Sequence, residues 1–501
     1  MSLAILNCRG QLGVAAPLIT IEVFLSGGLP SFAVVGLVET AVRESKDRVR
    51  GAILSSKFKF PQERITVCLG PADMRKSGGR YDLAIALGIL VASRQVPAEL
   101  LSSLEFYGEL SLSGDLRSVP GILPAAVQAA KCGRAMIVPP DNATEAALPD
   151  AEVFVASSLL DVTAHLHGTQ KLVRFEPAAN QDHYPAVADL CDVRGQPRAR
   201  RALEIAAAGG HNILFSGPPG TGKSMLARRL PAILTPMEYD EAIETAAVNS
   251  VLGLPFDVSR WRQRPFREPH HSASAAALVG GGTNPRPGEI SRAHNGVLFL
   301  DELTEFPRHV LDVLREPLET GQITISRVER QADFPARFQL VGAMTPCPCG
   351  YLGDPRGDCS CSAERVKNYR AKRSGPFLDR IDIQLDVQRP SKECLHVDAP
   401  PGEASSVVAE RVLNARRKQI HRSGMCNAAL DGEVMEAFCV LSPAAWTLLD
   451  QAMDRFVISA RGHRRIRRVA RTIADLADEE VISVAHLGEA IALRGLSQAA
   501  Y

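Results

Sequence analysis

Apolar residues set the rhythm of the first third of the chain. Residues 19–25 form an apolar run that predicts a strand, and Gly27, Gly28 and Pro30 end it. Residues 32–35 predict the next strand, and residues 64–69 another. Between the last two, residues 39–54 carry charged and apolar positions at helical spacing, and beyond them residues 82–92 predict another helix. Short apolar runs alternating with turns describe an α+β domain over residues 1–170, with no nucleotide motif. A polar stretch at residues 176–182 marks a linker, taken as residues 171–188. Residues 189–390 then read as a second α/β unit, and residues 391–501 as mainly helical. The fold class is therefore α/β and multidomain. No internal repeat or low-complexity tract interrupts it.

The second unit carries the chemistry. Residues 212–215 are apolar and predict a buried strand, and residues 225–230 predict a helix. Between them Gly217, Pro218, Pro219, Gly220, Thr221, Gly222, Lys223 and Ser224 fill every position of G-x-x-x-x-G-K-[ST]. Glycines let a backbone wrap closely round a phosphate chain, with N–H groups pointing inward. The helix that follows adds its positive end. Lys223 is expected to reach the β- and γ-phosphates, and Ser224 to ligate Mg²⁺.

A second apolar run, residues 297–300, ends in Asp301 and Glu302. In a P-loop fold such a strand is expected beside the P-loop strand. Its first acid holds the Mg²⁺ shell and its second polarises the attacking water. Residues 338–344 predict another buried strand ending at Thr345, a candidate for orienting that water. Arg380 follows the turn at residues 375–376; P-loop motors often supply such an arginine across a subunit boundary. A local salt bridge is the alternative.

Four cysteines lie within fifteen residues: Cys347, Cys349, Cys359 and Cys361, with Gly350, Gly353 and Gly357 among them. Four soft ligands suit a structural zinc in an insertion spanning residues 347–361. Free or redox-active thiols are the alternative. His270 and His271 are adjacent, and adjacent side chains on an extended chain point apart, so a loop role is expected rather than a metal site. Residues 323–330 predict one basic arm of a hairpin, either solvated or touching nucleic acid. Residues 461–471 hold six arginines entering an apolar helix. At least one is expected to point towards the nucleotide, and Arg468 is best placed.

Bulk properties narrow the setting. The 501 residues exceed what one core organises. A net charge of +1 excludes a global basic field, so any nucleic-acid site must be local or line a pore. No apolar run reaches the length of a membrane span, and no secretory signal is read at the N-terminus. The eleven cysteines are therefore expected to be reduced or metal-bound, in a cytoplasmic protein.

With these residues in hand, the chain resembles the ComM/YifB family of magnesium-chelatase-like AAA+ ATPases. The likeness runs over residues 15–496. It rests on Val35-Gly36-Leu37, Ala41-Val42-Arg43-Glu44-Ser45, Pro71-Ala72-Asp73, Asp192-Val193-Arg194-Gly195-Gln196, Gly288-Glu289-Ile290-Ser291, Ala293-His294-Asn295-Gly296 and Val469-Ala470-Arg471-Thr472-Ile473-Ala474-Asp475-Leu476. The resemblance implies Walker A at residues 217–224 and Walker B at residues 297–302. It implies a sensor 1 at Thr345, an arginine finger at Arg380 and a sensor 2 at Arg468. Val193 to Gln196 would flank the adenine. It implies ATP and Mg²⁺, an AAA+ αβα core, a C-terminal helical lid, and a homo-oligomeric ring, expected to be a hexamer. The family is similar to helicases that promote branch migration during recombination of incoming DNA in natural transformation. DNA, single-stranded or branched and without sequence preference, is thus the expected partner, along with recombination proteins.

Three positions depart from the family pattern: Thr345 stands where Asn is usual, Val38 for Pro and Arg292 for Leu. Residues 1–170 look like the Lon protease domain. Pro124 occupies the position of that protease's catalytic Lys, so proteolysis is not expected. Two other readings remain at this point: a magnesium-chelatase motor subunit serving a porphyrin-handling partner, and a DNA-binding scaffold that keeps nucleotide as a structural ligand.

Overall fold

Burial with a period of two builds the first sheet. Ile19, Ile21, Val23 and Leu25 are buried on one strand, and Ile65, Val67 and Leu69 on its neighbour, while the residues between them face outward. The structure is a computed structural model, and it describes residues 2–177, 188–282, 285–327, 330–354, 357–371, 375–396, 398, 400–456 and 458–494. Most of the expected linker therefore lies outside the described residues, as do the tip of the expected hairpin at Val328 and Glu329, and residues past 494.

Strands β1 (Ser2–Arg9), β2 (Leu18–Ser26), β3 (Ser31–Val35), β4 (Arg64–Gly70), β5 (Leu104–Phe106), β6 (Ala135–Val138) and β7 (Val153–Val155) form a seven-stranded sheet in the order β3-β4-β2-β1-β5-β6-β7. β2 runs antiparallel to β1 and β4; the other pairs are parallel. The predicted helix at residues 39–54 is two: Thr40–Arg43, then α1 (Ser45–Ser55). Helix α2 (Asp82–Ala92) is apolar almost throughout and packs against β1 and β2. One hydrophobic cluster, from Ala4 to Leu166, holds this unit together.

Within that core lies a buried polar knot. Glu105 is fully buried and accepts hydrogen bonds from Arg9 Nε at 3.0 Å, Arg9 Nη2 at 2.9 Å and the Tyr107 hydroxyl at 2.6 Å. The unit docks onto the rest of the chain through α3 (Ile122–Lys131). Gly121 N donates to Ser250 O at 2.7 Å, and Leu123 N to Ser250 Oγ at 3.2 Å, on the helix Tyr239–Val251.

Helix α4 (Pro197–Gly209) leads into the second sheet. Its strands are β8 (Ile213–Ser216), β9 (Phe266–Arg267), β10 (Val297–Leu300), β11 (Gln339–Met344) and β12 (Ile383–Asp386), all parallel, in the order β9-β10-β11-β8-β12. β8, β10 and β11 are buried along their whole length, as parallel strands covered on both faces must be. The order corrects one expectation. The strand ending in Asp301 and Glu302 does not lie beside the P-loop strand, because β11 separates them.

Helices cover both faces of this sheet. On one, α4 shares a single cluster with α7 (Ser405–Ser423) and α8 (Ala460–Leu476). The C-terminal helices thus bury their apolar sides against the sheet unit. On the other face, Leu278, Ile290, Phe306 and Phe377 pack under the hairpin Gln322–Arg327 with Arg330–Pro335.

Glu105→Gln should leave the Arg9 guanidinium buried beside a neutral amide. The expected cost is about 3–5 kcal/mol of N-terminal unit stability. Glu22→Gln, on an exposed position of β2, should change it by less than about 0.5 kcal/mol. Denaturant unfolding of the two variants checks the contrast.

Candidate nucleotide-hydrolysis site

The C-terminal ends of β8, β11 and β10 lie side by side, and the predicted residues project from them. After Ser216 the chain turns into α5 (Lys223–Arg229). A side chain at Gly217 would collide with the Val387 carbonyl at the end of the neighbouring strand. Gly222 caps α5 with φ +87°, a region that L side chains rarely adopt. These two positions make the loop tight enough for backbone amides to line it. Pro219 and Gly220 form its exposed crest. Thr221 is buried and its hydroxyl donates to Pro218 O at 3.0 Å, bracing the turn from inside.

Lys223 Nζ donates to Gly217 O and Pro218 O, both at 2.8 Å, so its ammonium lies within the loop. Burial lowers its pKa, and the nearby Asp301 carboxylate opposes that. Ser224 Oγ donates to Asp301 Oδ2 at 2.6 Å. A hydroxyl and a carboxylate in contact at the head of a phosphate-binding loop are the hard oxygen donors that Mg²⁺ takes. The residues present therefore fit the metal that the motif implies.

Glu302 follows with φ +50°, uncommon for a residue bearing a side chain. Its backbone N–H donates to Asp301 Oδ1 at 2.9 Å, and its carboxylate is mostly exposed. This turn aims the two adjacent acids differently: Asp301 towards Ser224, Glu302 outward. Thr345, directly after β11, stands between the two strand ends, where sheet order requires it.

Gln196 and Val193 lie at the loop's flank. Gln196 Nε2 donates to Thr221 O at 2.7 Å and to Gln388 O at 3.3 Å, and Val193 is buried. The segment is thus fastened to the P-loop itself.

The two predicted arginines are elsewhere. Arg380 precedes β12, and its carbonyl accepts from Asn212 Nδ2 at 3.1 Å, just ahead of β8. The phosphate loop follows the other end of β8, about 13 Å away along four strand residues. Arg380 is buried and pairs with Glu319. Arg468 lies on α8 and pairs with Asp431 at 3.3 Å, with Asp382 and Arg465 as further charged neighbours. The structure does not bring either to the phosphate loop of its own chain. The arginine-rich run is also no bare basic face. Arg464, Arg465, Arg467 and Arg471 each meet a carboxylate, on Asp431, Asp382, Glu436 and Asp475.

The adjacent histidines depart from expectation. Their rings are 4.1 Å apart rather than on opposite sides, because the chain bends here. His271 Nδ1 comes within 3.4 Å of Glu302 Oε2. No spacing rule announced this approach, since the two residues lie on different strand ends.

The cysteines do converge. The sulphurs of Cys347, Cys349, Cys359 and Cys361 all lie within 4.8 Å of one another. Cys347 is 3.4 Å from Cys349 and 3.7 Å from Cys359, and Cys349 is 3.6 Å from Cys359. The backbone amide of Tyr351 pushes the Cys349 thiol down to about 6. Among the described residues this is the one cluster with metal-ligating geometry. It adjoins the nucleotide loop, because a Cβ on Gly350 would sit 2.7 Å from Pro219. Among the described residues, no helix is long and apolar enough to cross a membrane.

Three family models match: magnesium chelatase, subunit ChlI, over residues 189–395; subunit ChlI of Mg-chelatase over residues 21–142; and magnesium chelatase, subunit ChlI C-terminal, over residues 402–494. The competence protein ComM of Haemophilus influenzae is 49% identical over 502 residues, covering 99% of this chain and 98% of the relative. The uncharacterized protein YifB of Salmonella typhimurium is 48% identical over 503 residues, with the same coverage of each chain. The magnesium-chelatase 38 kDa subunit of Rhodobacter capsulatus is 27% identical over 200 residues, covering 36% of this chain and 56% of that one. Full-length similarity of this degree, on a parallel sheet with a complete P-loop, places the chain in the ComM/YifB family of magnesium-chelatase-like AAA+ ATPases.

Proposed function

We propose that the chain is a ring-forming ATPase that couples hydrolysis to movement along DNA, promoting branch migration during recombination and natural transformation. The observation that carries this reading is the split of the machinery between two ends of one sheet. Lys223, Ser224, Asp301, Glu302 and Thr345 gather at one end, and Arg380 at the other. A head-to-tail neighbour presents its opposite end to this site, so a ring supplies Arg380 where a single chain does not. Arg468, also remote from its own loop, fits the same arrangement as a sensor acting across the boundary.

In this reading Gly217 to Ser224 wrap the nucleotide phosphates, and Lys223 holds the β- and γ-oxygens. Ser224 and Asp301 hold Mg²⁺, which offsets the charge that develops on the phosphates. Glu302 polarises the attacking water and Thr345 orients it. Val193 and Gln196 flank the base. The N-terminal unit is read as a Lon-like domain without proteolysis, since Pro124 is buried in α3 where a lysine would be required. The C-terminal helices are read as the lid.

The DNA step is supported by full-length similarity to a relative named a competence protein. A pore can grip phosphates without reading sequence, which suits a chain whose net charge is only +1. Similarity to a magnesium-chelatase subunit favours a second reading, a motor for a porphyrin-handling partner, but it spans only 36% of this chain.

The four-cysteine loop is proposed to hold zinc. Tetrahedral Zn–S bonds of about 2.3 Å place sulphurs about 3.8 Å apart, near the separations observed.

Lys223→Ala should abolish phosphate release, and retained turnover would refute the site. Arg380→Ala should lower it by about 10³-fold or more. Mixing these two inactive variants should restore activity, because some interfaces then join an intact loop to an intact arginine. Turnover should rise with forked or four-way DNA and not with porphyrin partners; the reverse supports the second reading. Protein purified without chelator should contain one zinc per chain, lost in Cys349→Ser.

A further inference from the structure

The Thr345 hydroxyl has a partner that the sequence did not announce. Tyr369, on α6 (Ala363–Ala371), brings its phenol oxygen to 2.7 Å from Thr345 Oγ1. The same oxygen bonds to Thr304 Oγ1. Tyr369 is 7% exposed and Thr304 2%, so water competes little for these hydrogen bonds. Thr304 lies in the turn Leu303–Glu305, immediately after Asp301 and Glu302. One buried phenol therefore links the end of β11 to the turn beyond β10.

The chemistry of the three groups makes this link a constraint. Each hydroxyl donates once and accepts. A threonine hydroxyl rotates about its own C–O bond, and alone it holds no fixed orientation. A phenol oxygen lies in the plane of a rigid ring, and here the ring is packed in place. Fixing the Tyr369 oxygen thus restricts the rotation of the Thr345 hydroxyl, whichever of the two donates. Chains of buried hydrogen bonds also strengthen one another.

We propose that Tyr369 is a positioning residue for nucleotide hydrolysis. Its hydroxyl locks Thr345 in the orientation that aligns water and holds the turn after Asp301 and Glu302 in register with it. The proposal rests on the reading of these residues as the hydrolysis site. It also gives the four-cysteine loop a mechanical consequence. α6 starts two residues after Cys361, and Gly350 packs on Pro219 and Thr345 from the same loop. The loop therefore braces both the phosphate turn and the helix that carries Tyr369.

Steady-state ATP turnover and fluorescent-nucleotide binding by the full chain test this. Tyr369→Phe keeps the ring and removes only the oxygen. It should lower kcat about ten-fold, by freeing the Thr345 hydroxyl to turn, and leave KM and nucleotide affinity within about two-fold. Thr304→Val should produce the same split from the other end of the link, and gives an independent answer if Tyr369→Phe melts early. Thr345→Val should lower kcat, and Tyr369→Phe added to it should cost nothing more. Wild-type kcat in Tyr369→Phe, fully additive losses in the double variant, or a raised KM at unchanged kcat would each overturn the proposal. Lys223→Ala in the same series separates the two levels. Turnover in that variant refutes the site itself. A dead Lys223→Ala beside a fully active Tyr369→Phe refutes only the positioning role.

Discussion

The hydrogen bond from Ser224 to Asp301 depends on sheet order. The two residues are 77 positions apart and lie beyond strands that are not neighbours. β11 fills the gap between those strands. Parallel pairing brings all three C-terminal ends to the same edge, and each then delivers one kind of group: the loop and its lysine, the polar threonine, the paired acids. Much of the chain serves to hold this edge. Apolar clusters cover both faces of the sheet, so its central strands are apolar almost throughout, and the buried Gln339 satisfies its amide on the carbonyls of Ala206 and His211.

The same geometry explains why so much positive charge lies away from the nucleotide. Arg380 enters from the sheet's opposite edge, and the arginines of α8 sit among carboxylates of the C-terminal helices. Buried guanidinium groups without partners are costly, so these pairs are a condition of folding. In the pair of Arg380 with Glu319 the guanidinium is buried while the carboxylate is half exposed.

Strain and close approach are found at this edge too. Glu302 adopts a backbone conformation unusual for its type, and Gly217 admits no side chain. A regular continuation of β10 would send Asp301 and Glu302 to opposite faces of the sheet. The turn at Glu302 instead keeps Asp301 on Ser224 while Glu302 faces outward beside His271.

The P-loop and the paired acids were legible in the sequence, because contiguous motifs encode contiguous chemistry. So was the strand leading to Thr345, and the cysteine set, whose members lie within fifteen residues. Helix α2 matched its predicted bounds because a largely apolar run of eleven residues is longer than a typical buried strand. What linear order left open is adjacency. The insertion of β11 between β8 and β10 and the approach of His271 to Glu302 depend on pairing across the fold, and the bend that brings the His270 and His271 rings together follows no spacing rule. The carboxylate partners of the arginine run were not legible, because they come from elsewhere, Asp382 on the approach to β12 and Glu436 on the helix Gly432–Phe438. Tyr369 had no motif at all. Residue types and local spacing fix which groups can bind phosphate and metal. Only the tertiary structure decides which groups meet, because hydrogen bonds form by distance in space and not along the chain.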